Sequence, residues 1–301
     1  MTYTVQGCDI SVWNDDISTP QHVDFNKMLA AGAKFVFIKA SQACRLDRDY
    51  TINSENARLA GIPRGFYHYM DWTRSAVDQA RFFAGVIQSD PGELPAVLDC
   101  EEQKNAPADS ASKFMVFCHE YFVLTGKQVM IYTSNGYWGE HGSTDRNWLE
   151  HKLWLANYPF FQPPPPTYKP IIPKPWTEYR FWQYTSRGDG YAYGGEEPYM
   201  DLNEYPGTVE EMNAEFGISG SIPPSPTDPV NYLIGKVVSP DGLWLHTIPS
   251  TAVNTRIRVM PKGESQKIVD MSAPKEMWGK NENGEWFALT YDGVTLMEVT
   301  P

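Results

Sequence analysis

The run LPAVLDCEEQ (94–103) places Asp99 and Glu101 one residue apart at the end of an apolar stretch. Residues i and i+2 of a strand share a face, so these two carboxyl groups point the same way and Cys100 points to the other side. Asp9 in VQGCDIS and Asp201 in YMDLNEY occupy similar runs, one near the amino terminus and one far along the chain. Crowded carboxyl groups raise one another's pKa, and a partly buried one can hold its proton near neutral pH. A protonated carboxyl beside ionised ones suits glycoside cleavage. It supplies an acid for the leaving oxygen and negative charge near an oxocarbenium-like centre. Taken singly, each acid reads more simply as a helix cap or a divalent-ion ligand; four at strand ends favour catalysis. His68 could serve as a base, but reads more simply as a satisfied barrel histidine. CHEYF (118–122) is half of a zinc motif with no second histidine at the required spacing, so it reads as a helix face.

Eight short apolar or β-branched runs can carry these residues as strands: 5–11, 34–41, 64–70, 94–101, 128–134, 152–158, 179–185 and 199–205. The first five are spaced as βα units, which predicts a parallel sheet with helical crossovers. The segments 22–32, 49–61 and 110–126 each end at a glycine, the usual helix stop, and 75–87 is amphipathic. Between the sixth and seventh runs, PFFQPPPPTYKPIIPKPW is too rich in proline for a helix and suits a loop laid across a barrel face. The fold class expected is α/β, an irregular TIM-like barrel over residues 1–217. In a parallel barrel the carboxyl ends of the strands form the active face. That end would collect Asp9, Lys39, Asp99, Glu101 and Asp201, with Asp9 and Asp201 side by side where the first and last strands meet. GDGYAYGG (188–195) lacks the strand–turn–helix setting of a phosphate loop and reads as a loop near the cleft. A Gly/Ser/Pro linker over 218–230 follows, and 231–301 shows short alternating strands broken by turns, a small all-β barrel.

Composition narrows the partners. The chain has 301 residues, a net charge of −12 and an isoelectric point near 5.0. A nucleic-acid partner needs a basic face and is not expected. General attraction cannot hold such a chain on an anionic surface, so recognition of one must be specific. Ten Trp and seventeen Tyr offer flat faces with polar tips, suited to sugar stacking as well as to packing. Cys8, Cys44, Cys100 and Cys118 show no metal or disulfide spacing and are expected as free thiols. No metal or cofactor is expected. The start, MTYTVQGCDIS, shows no basic-then-apolar leader, and no run is long enough to span a membrane. Synthesis as a cytoplasmic chain without membrane insertion is expected, with action outside the membrane requiring a separate pore.

GCDISVW, FVFIKAS, GFYHY, AVLDCE, IYTS, LWLANY, FWQYTS and MDLNEY follow the order and spacing of glycoside hydrolase family 25, and residues 1–217 resemble that family of Chalaropsis-type lysozymes, or N-acetylmuramidases. The resemblance implies a (β/α)5β3 barrel and cleavage of the β-1,4 bond between N-acetylmuramic acid and N-acetylglucosamine in peptidoglycan. It implies Glu101 as general acid and Asp99 as the group that orients the substrate acetamido group. Asp9 and Asp201 would tune charge and hold the sugar. Lys39, Trp72 and Tyr132 match substrate-contacting positions, with Tyr67, Trp154 and Gln183 in the same motifs. Trp154 reads as sugar platform or core, and Trp182 as core. The chain departs from the family at Ser41 and Gln42, where an acidic or threonine variant is common, and in its long proline loop.

The carboxy-terminal part is similar to bacterial SH3-like cell-wall-binding domains, through GLWLHTIPST, RVMPKGE and GEWFALTYDGVTLMEV. That implies wall targeting, with Trp244, Trp278 and Trp286 as contacts or as core. The whole resembles a phage endolysin that waits for a holin pore. A wall-bound protein with a lapsed barrel is the alternative. A chitinase-like glycosidase also uses a D-x-E pair, but expects further aspartates where Pro95 and Val97 stand.

Overall fold

The computed structural model describes residues 4–218 apart from 20 and 166, then 233–237, 243–246, 256–263 and short strands between 265 and 300. The chain separates into two compact units, Met1–Pro223 and Pro224–Pro301. The linker expected at 218–230 lies, beyond its first residue, outside the described residues.

The first unit is built on β1 (Val5–Ile10), β2 (Val36–Gln42), β3 (Arg45–Leu46), β4 (Arg64–Tyr69), β5 (Val97–Asp99), β6 (Met130–Ser134), β7 (Leu153–Ala156), β8 (Phe181–Asp189) and β9 (Tyr199–Tyr205). Their order is β1-β9-β8-β7-β6-β5-β4-β2-β3, and a β1–β2 pairing closes eight of them into a barrel. The two-residue β3 is a hairpin return on β2. Five helices follow the first five barrel strands: α1 (Phe25–Ala30), α2 (Tyr50–Ala60), α3 (Ala76–Ile87), α4 (Ser110–Thr125) and α5 (Asn135–His141). Gly61 and Gly126 end α2 and α4 in the left-handed conformation, as their position in the sequence predicts.

Two points differ from a simple parallel reading. β9 runs antiparallel to both β8 and β1. Asp201 therefore reaches the mouth from near the start of its strand and not from its end. The register sets it directly opposite Asp9. The proline-rich segment also takes the place of a helix. Trp176 is buried in the outer layer, Tyr168 stacks on Trp182, and Ile172 packs against the same layer.

The core has two parts. One lies between barrel and helices and contains Cys8, Phe66, Phe83, Phe114, Phe117 and Cys100. The other fills the barrel: Phe35, Phe37, Trp154, Phe181 and Tyr205, with Met212 of α6 (Val209–Phe216). The rings of Phe35 and Phe37 lie across glycines. A Cβ on Gly7 would come within 2.5 Å of Phe35, and one on Gly65 within 2.3 Å of Phe37. These side chains fill the barrel below its upper end.

The second unit shows antiparallel strands β10–β19 among its described residues, from β10 (Leu233–Val237) to β19 (Met297–Thr300). They form ladders of three, five and two strands. Trp244 lies on Leu243–His246, Trp278 on Trp278–Lys280 and Trp286 on Trp286–Ala288. The side chains of these three residues lie outside what is described.

Candidate active site

A cavity of about 200 Å³ opens at the upper end of the barrel. Asp9, Asp99, Glu101 and Asp201 line it with Lys39, Tyr67, Tyr132, Trp154 and Gln183. Ser11, Trp13 and Tyr69 complete the lining. Nine residues expected from the sequence thus meet in one place. Trp72 does not join them. Its indole packs on Phe114 at 5.3 Å and donates to the Glu102 carbonyl at 2.8 Å, so it braces the segment that carries Glu101.

Asp99 ends β5 with its side chain buried, while Cys100 turns into the helix layer. One Asp99 oxygen, Oδ1, is buried without a hydrogen-bond partner among the described residues. Burial, and then the charge of Glu101, push the Asp99 carboxyl well above the usual carboxylate range; Lys39 pulls the other way. Glu101 stands at the rim with its side chain open to the mouth. Lost hydration on the cleft side, followed by the charge of Asp9, still raises its carboxyl to about 7. Asp9 and Asp201 divide more sharply. Burial raises Asp9, and hydrogen bonds from Asn203 and Gln183 hold it to about 6. Burial and the charge of Asp9 raise Asp201 to about 9.

Lys39 is the cation of this lining. Its ammonium donates to Gln42 Oε1 at 2.9 Å and lies 4.8 Å from the Tyr69 ring centre. Burial lowers its pKa, against the pull of Asp99 and other acids. Gln42 in turn donates to Asp71 at 3.3 Å. Ser41 faces away from the cavity and meets His68 Nδ1 at 2.8 Å. His68 is fully buried between sheet and helices, with Nε2 at 3.0 Å from Gln79 Oε1, and burial lowers its pKa to about 4. It is a neutral bridging group and not a base at the cleft.

Trp154 is 1% exposed. Its ring stacks on Phe37 at 4.4 Å and meets Tyr132 edge-on, so its faces are occupied and it serves as core with an edge on the cavity. Trp182 packs in the outer layer and donates to the Asn157 carbonyl at 2.7 Å. Ser11 and Tyr69 of the lining escaped sequence reasoning, as did three more residues near the acids. Asn203 shares the inner face of β9 with Asp201, and that i+2 spacing was a usable signal. Tyr158 follows β7 and reaches Gln183 at 2.5 Å. Trp13, 79% exposed on the lip, sits in a 3-10 turn after β1 with no periodic pattern to mark it.

A closed barrel with carboxyl groups of divergent proton affinity at its mouth is the arrangement that glycoside hydrolysis requires. The profile described as Glycosyl hydrolases family 25 matches residues 8–191, and the chain belongs to that family. It is similar to Lysozyme M1 of Streptomyces globisporus, 29% identical over 226 residues that cover 71% of each chain. It is also similar to the N,O-diacetylmuramidase of Chalaropsis sp, 30% identical over 218 residues, 66% of this chain and 94% of that one. Among solved structures, the bacterial lysozyme from Streptomyces coelicolor matches with a TM-score of 0.59 and 25% identity. That match covers 72% of this chain and 98% of the other.

Proposed function

We propose that the barrel hydrolyses peptidoglycan at the β-1,4 bond between N-acetylmuramic acid and N-acetylglucosamine. Glu101 donates its proton to the leaving oxygen. One observation carries this reading: Glu101 stands at the open rim of a cavity that it shares with Asp9, Asp99 and Asp201, where burial and the charge of Asp9 raise its carboxyl to about 7. Asp99 has a buried oxygen without a partner, which an acetamido N–H would satisfy. Negative charge at Asp9 then faces the sugar as positive charge develops at its anomeric carbon. The names of the relatives above, a lysozyme and a diacetylmuramidase, support the substrate.

The second unit holds the enzyme on the wall as an SH3-like binding domain. Its short antiparallel strands and the GLWLHTIPST run support this, and a chain of charge −12 needs such a device on an anionic surface. The arrangement suits a phage endolysin that is made in the cytoplasm and reaches the wall through a holin pore. The substrate is tested by digesting purified wall, reducing the products with borohydride and weighing the fragments. New reducing ends on muramic acid are expected. Ends on glucosamine, or peptide cuts alone, would overturn the reading.

A further inference from the structure

Hydrogen bonds beneath the acids have a direction that can be read from one end. An indole N–H can only donate. Trp154 Nε1 lies 2.7 Å from Asn203 Oδ1, so the amide oxygen of Asn203 is committed to it. The amide nitrogen must then face Asp9, and Nδ2 donates to Asp9 Oδ2 at 2.7 Å. A second arm arrives from β8. The hydroxyls of Tyr132 and Tyr158 lie 2.7 and 2.5 Å from Gln183 Oε1 and fill its two lone pairs. Gln183 Nε2 donates to the same Asp9 oxygen at 2.8 Å. The reverse orientation of Gln183 would turn a carbonyl toward a carboxylate.

Two N–H groups thus converge on Oδ2 of Asp9; a proton there would displace one of them, and a proton on Oδ1 would leave both but weaken them by removing the charge they share. Trp154, Asn203, Gln183 and Tyr132 are buried, so solvent does not compete for the bonds among them and Asp9; Tyr158, about half exposed, closes the second arm from the cleft side. Asp201 sits opposite in register, with no such donors among the described residues, and hydrogen-bonds to Asp9. We infer that Asn203 set by Trp154, and Gln183 set by Tyr132 and Tyr158, form a clamp that holds Asp9 as the carboxylate of the Asp9–Asp201 pair and leaves the proton on Asp201. Asn203, Gln183, Trp154 and Tyr158 are therefore positioning residues acting through Asp9.

Other groups act on the pair without favouring this division by geometry. Asp99 and Glu101 repel charge on either acid. Burial, and then the charges of Asp9 and Asp201 among other acids, push up the Tyr67 phenol in the lining and the Cys8 thiol on the outer side of β1. The Lys39 ammonium acts on Asp99 and Glu101. The ordering about 6 for Asp9 and about 9 for Asp201 agrees with the clamp.

The clamp deepens the acid–base reading proposed above, so its decisive test uses no substrate. Carboxyl carbons of the full chain, labelled at aspartate, are titrated by NMR, with Asp9→Asn and Asp201→Asn giving the assignments. Asp9 is expected to ionise first. Asn203→Leu should raise the Asp9 step by about one pH unit, and Trp154→Phe, which keeps the ring against Phe37, should raise it by less. The acidic limb of kcat/KM on purified peptidoglycan should move with it, a shift that simple structural damage would not produce. The idea fails if Asp201 ionises first in the unaltered chain, or if the Asp9 step stays put in folded Trp154→Phe. A chain inert toward peptidoglycan would sink the functional reading and leave the clamp to the NMR titration.

Discussion

Glu101 must hold its proton to donate it, and its carboxyl titrates at about 7. Turnover is therefore expected to fall as pH rises through that value. On the acidic side it is expected to fall as Asp9 gains a proton near 6, so kcat/KM against pH should trace a narrow bell. Glu101→Gln should lower kcat by roughly 10²–10⁴-fold and remove the alkaline limb while wall binding persists. Full activity in that variant would take Glu101 out of the acid role. Residues of this kind were legible where a local rule placed them. Parity along a strand sets Asp99 and Glu101 on one face, and the same rule places Asn203 beside Asp201. Trp72 was not legible in the same way. Its bond to the Glu102 carbonyl joins segments thirty residues apart, and nothing in local spacing reveals that. His68 was legible only as a choice between two roles, which its bonds to Ser41 and Gln79 decide.

The eight barrel strands could be read from the sequence because each is a short apolar run with a turn or helix stop beside it. The direction of the last one could have been read too. Only residues 190–198 separate β8 from β9, and a parallel crossover needs a dozen or more. The proline-rich segment forms no helix among its described residues, as its composition predicts. Its role in covering the barrel was harder to see, because Tyr168 and Trp176 contribute by packing and not by periodicity. Inside the barrel, Gly65 faces Phe37 across the β4–β2 register, and no side chain fits between them. Gly65→Ala should push the Phe37 ring out of place and destabilise the fold by about 1–3 kcal/mol. Thermal unfolding would show this as a lowered Tm; an unchanged Tm would mean that the ring has room to move.

The chain joins a compact barrel to a second unit of short strands, and the two are expected to divide the work. A chain ending at Pro223 should cleave soluble glycan fragments at the full-length rate but lose retention on insoluble wall in a sedimentation assay. Equal retention would put wall binding on the barrel itself. Folding the barrel also gathers four acids whose proton affinities all rise. A carboxyl raised in this way weakens the fold progressively as pH climbs from about 4, its unfolded value, toward its folded one. For Asp201 that window reaches about 9. The mouth of the barrel is thus a reservoir of hydrogen ions that exists only while the chain is folded. Melting the enzyme at neutral pH empties it into solution, so the heat recorded on unfolding depends on the ionisation heat of the buffer that receives those ions.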